Sequence, residues 1–366
     1  MKTKRKVLIG MSGGLDSSVA AALLKKQGHE CIGLYLNVWT DPTLFSDEEK
    51  KRFPQNKCCS LESLMIARSV CQDLGIPFYT MNVEHEFKEK VVDYFLKGFI
   101  NGETPNPCVM CNKTIKFGAM FEKMKALGCN ALATGHYVYT KKHLNGRISL
   151  YRGNDQTKDQ SYYLYNLTQE KLQNLIFPLG KMTKKQVRAL AKKFNLTKVM
   201  NKRESQGICF FPEKTPDAFL SRNLKEGEDY REGEIKNKNG EILVTHKGLP
   251  FFTIGQRKGI GIGGGPALFV TKTNPKENSI IVGSEEDLLK TEVEIHSANF
   301  LSGNPPSEKK TYDVRIRNHA HLQKAKFKQK DDKIIISFQK PVRAVMPGQS
   351  LVLYSGSELI GGGIMQ

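Results

Sequence analysis

The sequence lacks any apolar run that approaches the roughly 20 residues of a membrane-spanning helix. It also lacks a secretory signal, because the charged opening MKTKRK leads directly into a strand-like segment. We therefore expect a cytoplasmic protein with no membrane partner. In that reducing compartment the eight cysteines should be reactive or metal-binding thiols rather than structural disulfides. The chain also has no internal repeat and no long low-complexity segment.

Acidic side chains are scarce, since 37 acidic residues stand against 56 basic ones and leave a net charge of +19. Such an excess favours a polyanionic partner, most simply a nucleic acid. A basic surface without a specific partner is the alternative. The 366 residues are enough for two or three domains, and 39% hydrophobic residues can form a sizeable core.

The segment KVLIGMSGGLDSSVAAALLKKQG, residues 6–28, predicts a strand at Lys6–Met11, a glycine turn at Ser12–Ser17 and a helix at Ser17–Gln27. Adjacent glycines let backbone N–H groups converge, and the helix N-terminus adds partial positive charge, so the turn predicts a phosphate site. A turn without a ligand is the alternative. The kinase-type phosphate loop is excluded, because no lysine lies between Gly10 and Ser18.

Strand and helix patterns alternate through the segment that ends at Gly135. Strands are predicted at Glu30–Leu36, Ile76–Met81 and Asn130–Gly135, and helices at Leu61–Leu74, Glu84–Ile100 and Asn112–Leu127. This alternation favours a parallel sheet with helices on both faces. Ligands bind at the carboxyl ends of such strands, where Ser12–Ser17 and Thr134–Tyr137 fall.

The pattern changes beyond this point. Arg147–Leu167 looks irregular and aromatic, and helices are predicted at Thr168–Phe177 and Thr183–Asn195. The second of these is strongly basic, and Lys184, Lys185, Arg188, Lys192 and Lys193 are candidates for phosphate contact. We place the end of the first domain near Phe211. Short strands with glycine turns follow to Gly283, and alternating residues to Gln366 predict a small β-barrel.

Two cysteines stand in loops next to prolines or glycines. Cys111 lies in TPNPCVMCNKTIKF, directly before the helix predicted from Asn112, whose dipole would lower the thiol pKa. Cys209 lies in QGICFF. Two thiols and a phosphate loop without lysine together indicate sulfur transfer. Cys31, Cys71 and Cys129 fit core positions instead, and the role of Cys58 and Cys59 stays open.

The chain resembles the tRNA-specific 2-thiouridylase family over essentially its whole length. The resemblance rests on seven segments in order: GMSGGLDSS, TPNPCVMCNKTIKF, ATGHY, KDQSYYL, GICF, TIGQRKG and AVMPGQS. It implies an α/β PP-loop (adenine nucleotide alpha hydrolase-like) parallel-sheet domain at 1–211, a small central domain at 212–283 and a C-terminal β-barrel at 284–366. The implied reaction is 2-thiolation of the wobble uridine of the tRNAs for lysine, glutamate and glutamine. It uses ATP, Mg²⁺ and sulfur from a carrier protein or a cysteine desulfurase relay.

The resemblance also implies roles for individual residues. Cys111 matches the nucleophile and Cys209 the persulfide carrier, and the two would form a transient disulfide. His136 and Gln349 match positions that support activity. ATP-binding positions are Gly10, Met11, Ser12, Gly13, Gly14, Leu15, Asp16, Ser17, Leu36 and Gly135, with Asp16 also a candidate for holding Mg²⁺. Asn106, Pro107 and Cys108 match the segment at the target base, and Lys158, Asp159, Gln160, Ile316 and Arg317 match tRNA contacts.

Two departures from the family pattern leave alternatives open. Cys108 stands where the family often has Asp, so the proton-handling group is in doubt. Cys108, Cys111 and Cys209 could instead hold an Fe–S cluster with one open iron. Leu36 replaces a common Met, a tolerated change of shape. A small-molecule PP-loop ligase and a non-catalytic RNA-binding protein are rival interpretations: the first leaves the charge and the thiols unexplained, the second leaves SGGLDS unexplained.

Overall fold

The structure, a computed structural model, describes residues 4–44, 61–200, 207–213 and 215–366. Its strands lie in three sheets. In chain order they are β1 (Lys6–Gly10), β2 (Glu30–Asn37), β3 (Phe78–Asn82), β4 (Ala131–Ala133), β5 (Val138–Lys142), β6 (Ile148–Arg152), β7 (Leu175–Ile176), β8 (Gly233–Lys236), β9 (Ile242–His246), β10 (Phe269–Asn274), β11 (Ser279–Gly283), β12 (Leu289–Phe300), β13 (Thr311–Arg315), β14 (Gln323–Lys330), β15 (Lys333–Arg343), β16 (Ser350–Ser355) and β17 (Glu358–Met365).

The helices surround the first sheet and connect it to the other two. In chain order they are α1 (Leu15–Lys26), α2 (Leu61–Asp73), α3 (Glu84–Phe87, Lys88–Val92 and Asp93–Ile100), α4 (Pro107–Cys111, Asn112–Ala119 and Met120–Ala126), α5 (Gln169–Gln173), α6 (Lys184–Lys193), α7 (Thr197–Met200) and α8 (Asp217–Asn223). The middle segments of α3 and α4 are π-helical. In the parts of the chain that are described, no helix combines the length and the apolar character of a membrane span.

The first sheet is parallel, as the sequence predicts, with strand order β3-β2-β1-β4-β7. Its central strand β1 carries Val7, Leu8 and Ile9, all fully buried, because helices cover both faces. Small residues at Ala20 and Ala21 let α1 pack closely, and these are fully buried as well. The turn after β1 and the turn after β4 therefore meet at one edge of the sheet.

The other two sheets also match the predicted fold class. The middle sheet has four strands in the order β10-β11-β8-β9. In the third, β12-β15-β14-β13-β16-β17 closes on itself through the pairing of β12 with β17 and forms a six-stranded barrel. Closure removes the exposed edges that an open sheet would have.

One prediction about this region is wrong. The segment predicted to be irregular, Arg147–Leu167, begins with strand β6, which pairs with β5 and also with β17 of the barrel. Leu150 lies opposite Leu359, and both are fully buried. Most of the pairing of β6 is with the neighbouring strand β5, from Val138 opposite Arg152 to Lys142 opposite Ile148. The connection between these two strands contains Asn145 and Gly146, a local hairpin signal that the prediction overlooked.

Candidate functional site

The turn that joins β1 to α1 is held by its own hydroxyl groups. The Ser12 backbone N–H donates to Ser17 Oγ at 3.2 Å, and Ser17 Oγ donates to the Gly14 carbonyl at 3.1 Å. Gly13 has a φ of +66°, and a Cβ there would lie 2.1 Å from the Ser63 carbonyl oxygen of α2. The turn therefore requires glycine at this position, and it forms a compact loop at the positive end of α1.

The loop after β4 lies directly against this turn. A Cβ added at Gly135 would lie 3.0 Å from the Asp16 carbonyl carbon and 3.1 Å from the Ser17 nitrogen. The structure thus brings together Ser12–Ser17 and Thr134–Tyr137, the two segments that the sequence places at the carboxyl ends of strands. Leu36, near the end of β2, packs against two hydrophobic core clusters, one that contains Val7 and Ile9 and one that contains Leu8.

Asp16 is the acidic residue of the turn. Two side chains that the sequence analysis did not name as ATP-binding contact its carboxylate. The Tyr137 hydroxyl donates to Asp16 Oδ1 at 2.8 Å, and Lys184 Nζ lies 2.8 Å from each carboxylate oxygen. Tyr137 lies within the ATGHY segment, so its motif was a signal. Lys184 comes from α6, and only the fold shows that it reaches the turn.

The Asp16 carboxylate, together with bound phosphates, would fit Mg²⁺. Mg²⁺ is commonly held by one or two carboxylates together with substrate phosphates, and Asp16 supplies one carboxylate beside the phosphate-type loop. Among the described residues, no group of three or more His, Cys, Asp or Glu side chains is placed to hold a metal ion. Phosphate oxygens would therefore have to complete the coordination, and Cys108, Cys111 and Cys209 do not form a ready-made cluster site.

His136 is buried in the loop after β4, at the edge of the first sheet where this loop meets the turn after β1 (the nucleotide edge). Its Nδ1 lies 2.7 Å from Thr134 Oγ1, and its ring packs against Phe117 and Phe177. Burial, and then the positive charge of Lys116, hold its pKa well below the usual value of 6.5. His136 is therefore a neutral imidazole near neutral pH, and it orients its surroundings by hydrogen bonding rather than by charge.

Because His136 is kept neutral in the folded protein, we expect the fold to lose stability in acid. Below about pH 6.5 His136 becomes protonated in the unfolded chain but stays neutral in the folded chain. The free energy of unfolding therefore decreases as the pH falls, until the pH reaches the lower pKa of the folded state. We expect a loss of about 1.4 kcal/mol per pH unit in this interval. Urea unfolding at several acidic pH values measures how the free energy of unfolding depends on pH. His136→Gln should remove the contribution of His136 to this dependence, and His319→Gln, at an exposed position, should keep it. Equal slopes in all three proteins would contradict the assignment.

The segment that matches the target-base loop opens helix α4, and the prediction for its start is wrong. The helix begins at Pro107 rather than at Asn112, with Asn106 as its N-cap, whose side chain accepts from the Val109 N–H at 3.3 Å. Cys108, not Cys111, therefore lies in the first turn, where the helix dipole acts. Cys111 is the last residue of the first α-helical segment, so the predicted dipole effect on its thiol does not hold.

The barrel holds this loop in place. The Thr104 N–H donates to the Pro347 carbonyl at 2.8 Å, and Asn106 Nδ2 donates to Gln349 Oε1 at 3.4 Å. The Tyr162 hydroxyl donates to the Ser350 carbonyl at 2.6 Å and approaches the same Gln349 oxygen at 3.4 Å. Gln349 thus contacts Asn106 from the barrel side, and its role in supporting activity stays a prediction.

Cys209 is anchored by the two aromatic residues that follow it. Phe210 and Phe211 are buried and contact Phe219 with ring centroids 5.2 Å and 5.0 Å apart. Cys209 and Cys111 are both half-buried and pack against the same hydrophobic core. No disulfide joins them in the structure, so the transient disulfide stays a prediction.

The remaining cysteines fall into two groups. Cys31, Cys71 and Cys129 are buried, which confirms that they are core residues, and burial raises the pKa of Cys31 to about 11 and of Cys71 to about 12. Such thiols are inert near neutral pH. Cys58 and Cys59 lie outside the described residues.

The predicted tRNA-contact residues of the two loops differ in exposure. Arg317 is exposed and Lys158 is half-buried, but Ile316 is 2% exposed. The Asp159 side chain is 1% exposed and accepts from Arg152 Nε at 3.1 Å and from Arg315 Nη1 at 3.3 Å. Asp159 therefore joins the first domain to the barrel, and its contact with tRNA stays a prediction.

Gln160 and Asp155 connect this same loop to the nucleotide edge. Gln160 Oε1 accepts from the Tyr137 N–H at 3.0 Å, and Asp155 Oδ2 accepts from the Lys184 N–H at 2.9 Å. Both contacts involve residues that touch Asp16. A cavity of about 320 Å³ is lined by residues of this loop and by the barrel residues that follow Arg315.

Comparison with known proteins places the chain in a family. Residues 5–213 match the family model described as tRNA methyl transferase HUP domain, residues 217–284 the tRNA methyl transferase PRC-barrel domain, and residues 290–365 the Aminomethyltransferase beta-barrel domain. A solved NMN synthetase from Francisella tularensis covers 55% of this chain and 67% of its own, at 16% identity and a TM-score of 0.34.

Curated relatives match from end to end. A tRNA-specific 2-thiouridylase MnmA 1 from Caldanaerobacter subterraneus subsp. tengcongensis is 44% identical over 100% of this chain and 99% of its own length. A tRNA-specific 2-thiouridylase MnmA from Clostridium acetobutylicum is 40% identical over 99% of each chain. The chain therefore belongs to the tRNA-specific 2-thiouridylase family.

Proposed function

We propose that this protein is an ATP-dependent tRNA-uridine 2-sulfurtransferase that thiolates the wobble uridine. One observation supports it above the others: a lysine-free phosphate loop lies in the same domain as two half-buried thiols packed against one core. The net charge of +19 suits a tRNA substrate. The curated relatives are named tRNA-specific 2-thiouridylase, a name that covers the tRNA substrate and the 2-thiolation.

The chemistry begins with activation of the uracil oxygen. The C2 oxygen attacks the α-phosphorus of ATP, pyrophosphate leaves, and the oxygen becomes part of a good leaving group, AMP. The turn Ser12–Ser17 would bind the phosphates through backbone N–H groups at the positive end of α1. Mg²⁺, held by Asp16 and phosphate oxygens, would offset their charge.

Sulfur transfer then uses the two thiols. The terminal sulfur of a Cys209 persulfide attacks C2 and AMP leaves, so that the base is joined to Cys209 through an S–S bond. The Cys111 thiolate attacks the Cys209 sulfur, which frees the new C2 thiocarbonyl and forms the Cys111–Cys209 disulfide. An external thiol reductant must then reduce that disulfide, and a sulfur carrier or desulfurase relay must supply the next persulfide.

The neighbouring residues would position the base. Asn106, Pro107 and Cys108 lie at the start of α4, where Gln349 supports Asn106. The group that handles the proton stays open, because Cys108 stands where the family often has Asp. No observation favours the Fe–S alternative, and an iron assay on anaerobically purified protein would test it.

The division into domains at 1–211, 212–283 and 284–366 is part of the same proposal.

The test is a reaction with Mg²⁺·ATP, a persulfide donor and unmodified tRNA for lysine, glutamate or glutamine. We expect AMP and pyrophosphate to form only with tRNA, and mass spectrometry to find sulfur in place of oxygen at the wobble base. A transcript with cytidine at that position is the control. ATP cleavage with a small acceptor and without tRNA would instead indicate a ligase, and neither product would indicate an RNA-binding protein.

The exposed cations of α6 should contribute to tRNA affinity. Lys185, Lys192 and Lys193 are exposed on this helix, and each phosphate contact releases counterions. Replacing all three with Gln should weaken tRNA binding and lower the slope of log K against log salt by about 0.7 to 0.9 for each phosphate that the variant no longer neutralises. A filter-binding titration at several salt concentrations measures this slope. An unchanged slope would reject the role of this helix.

A further inference from the structure

Lys184 is separated by the fold from the other cations of its helix. Lys185, Arg188, Lys192 and Lys193 are exposed, whereas the Lys184 side chain is 12% exposed and faces the turn between β1 and α1. Its Nζ lies 2.8 Å from both carboxylate oxygens of Asp16, which also accepts from the Tyr137 hydroxyl. The lysine therefore lies beside Asp16, a residue of the turn that predicts the phosphate site.

The turn between β1 and α1 has no positively charged side chain of its own to bind a triphosphate. A triphosphate carries several negative charges, and the turn offers backbone N–H groups and the partial charge of a helix end. The sequence from Gly10 to Ser18 contains no lysine or arginine, and its one charged residue is the acidic Asp16. Lys184 brings to this loop a full positive charge that the loop lacks.

The backbone holds Lys184 at the start of its helix. Thr183 and Gln186 form a capping box, and the Lys184 N–H donates to Asp155 Oδ2 at 2.9 Å. A cation in the first turn is opposed by the helix dipole, which favours acidic residues there. The first turn of α6 has no acidic residue, so helix stability does not explain a lysine at this position.

We propose that Lys184 binds the β- and γ-phosphates of ATP and the pyrophosphate that leaves, and that Asp16 holds its amino group in place until the nucleotide enters. Phosphate oxygens then replace the Asp16 carboxylate as partners of Lys184, and Asp16 becomes available to the cation that accompanies the nucleotide. Lys184 is a phosphate-binding residue in this proposal, and it takes the part that a lysine within the loop has in kinase-type sites. The inference rests on the proposed use of ATP and adds a residue to it.

The test is equilibrium binding without tRNA, in Mg²⁺, of three ligands: an ATP analogue with a non-hydrolysable α,β linkage, pyrophosphate and AMP. Lys184→Met should weaken binding of the analogue and of pyrophosphate by about tenfold or more, and change AMP binding by no more than about twofold. Lys181→Met is the matched control, because Lys181 is an exposed lysine nearby that lies over the Tyr139 ring, and it should bind all three ligands as the wild type does. Lys184→Arg, which keeps the charge, should recover part of the affinity.

Two results would overturn the inference. Pyrophosphate binding by Lys184→Met at wild-type strength would show that Lys184 does not contact these phosphates. Equal weakening for AMP and pyrophosphate would show that the lysine supports the site only through Asp16. Failure of the proposed function is a separate result: wild-type protein that binds the nucleotide through Lys184 and yet never thiolates tRNA.

Discussion

Replacing Cys209 with alanine should reduce the formation of thiolated tRNA by at least about 10³-fold, because the sulfur then has no atom to be carried on. Release of AMP and pyrophosphate in the presence of tRNA should persist, since activation of the uracil oxygen needs no thiol and water can attack the activated base. Mass spectrometry of the wobble base and quantification of AMP in the same reaction measure the two steps separately. The expected result is ATP cleavage without thiolation.

Cys129→Ala is the matched control. Cys129 is a buried thiol in a different core cluster, and its change should leave thiolation near the wild-type rate. Cys111→Ala makes the order of steps visible: tRNA should accumulate as a disulfide adduct on Cys209 that a small thiol reductant releases. Thiolation by Cys209→Ala at full speed from a protein-borne persulfide would refute the persulfide route.

The parts of the fold that local sequence determines were predictable. The apolar strand β1, the two glycines and helix α1 each have signals within a few residues, and Gly28 adopts the positive φ of +84° expected after a helix. The parallel sheet followed from the alternation of strands and helices. The closed barrel likewise followed from repeated short alternating segments.

Other predictions were wrong, or a feature was not predicted, for different physical reasons. The start of α4 had a signal, since Asn106 followed by Pro107 is a strong N-cap and first-turn pair, but the longer periodic run from Asn112 masked it. Strand β6 also had a local signal, since Asn145 and Gly146 lie in its hairpin connection to β5. The position of Lys184 had none. Lys184 depends on Asp16, which lies far along the chain, and only tertiary packing brings the two together.

Asp159 shows why a residue matched by resemblance needs its surroundings. It was predicted to contact tRNA, yet its carboxylate accepts from two arginine side chains and from the backbone N–H groups of Gly153 and Ser161 at 3.3 Å and 3.1 Å. Both guanidinium groups also lie over the Tyr354 ring, with distances of 5.8 Å to its centroid. Nearly all of the bonding capacity of this carboxylate is thus used within the protein, at the junction between the first domain and the barrel.

Asp159→Asn should therefore lower the free energy of unfolding by about 3 kcal/mol or more, because it leaves Arg152 and Arg315 without their shared buried partner. Asp313→Asn is the matched control in the same barrel: it breaks an ion pair with Lys324, a side chain that is 57% exposed, and should cost less than about 1 kcal/mol. Denaturant unfolding measures both, and a tRNA titration of the folded variants follows. If Asp159→Asn keeps wild-type stability and loses only tRNA affinity, the carboxylate is an RNA contact after all. If stability falls and the affinity of the folded fraction does not, Asp159 holds the loop Lys158–Gln160 against the barrel and does not contact tRNA.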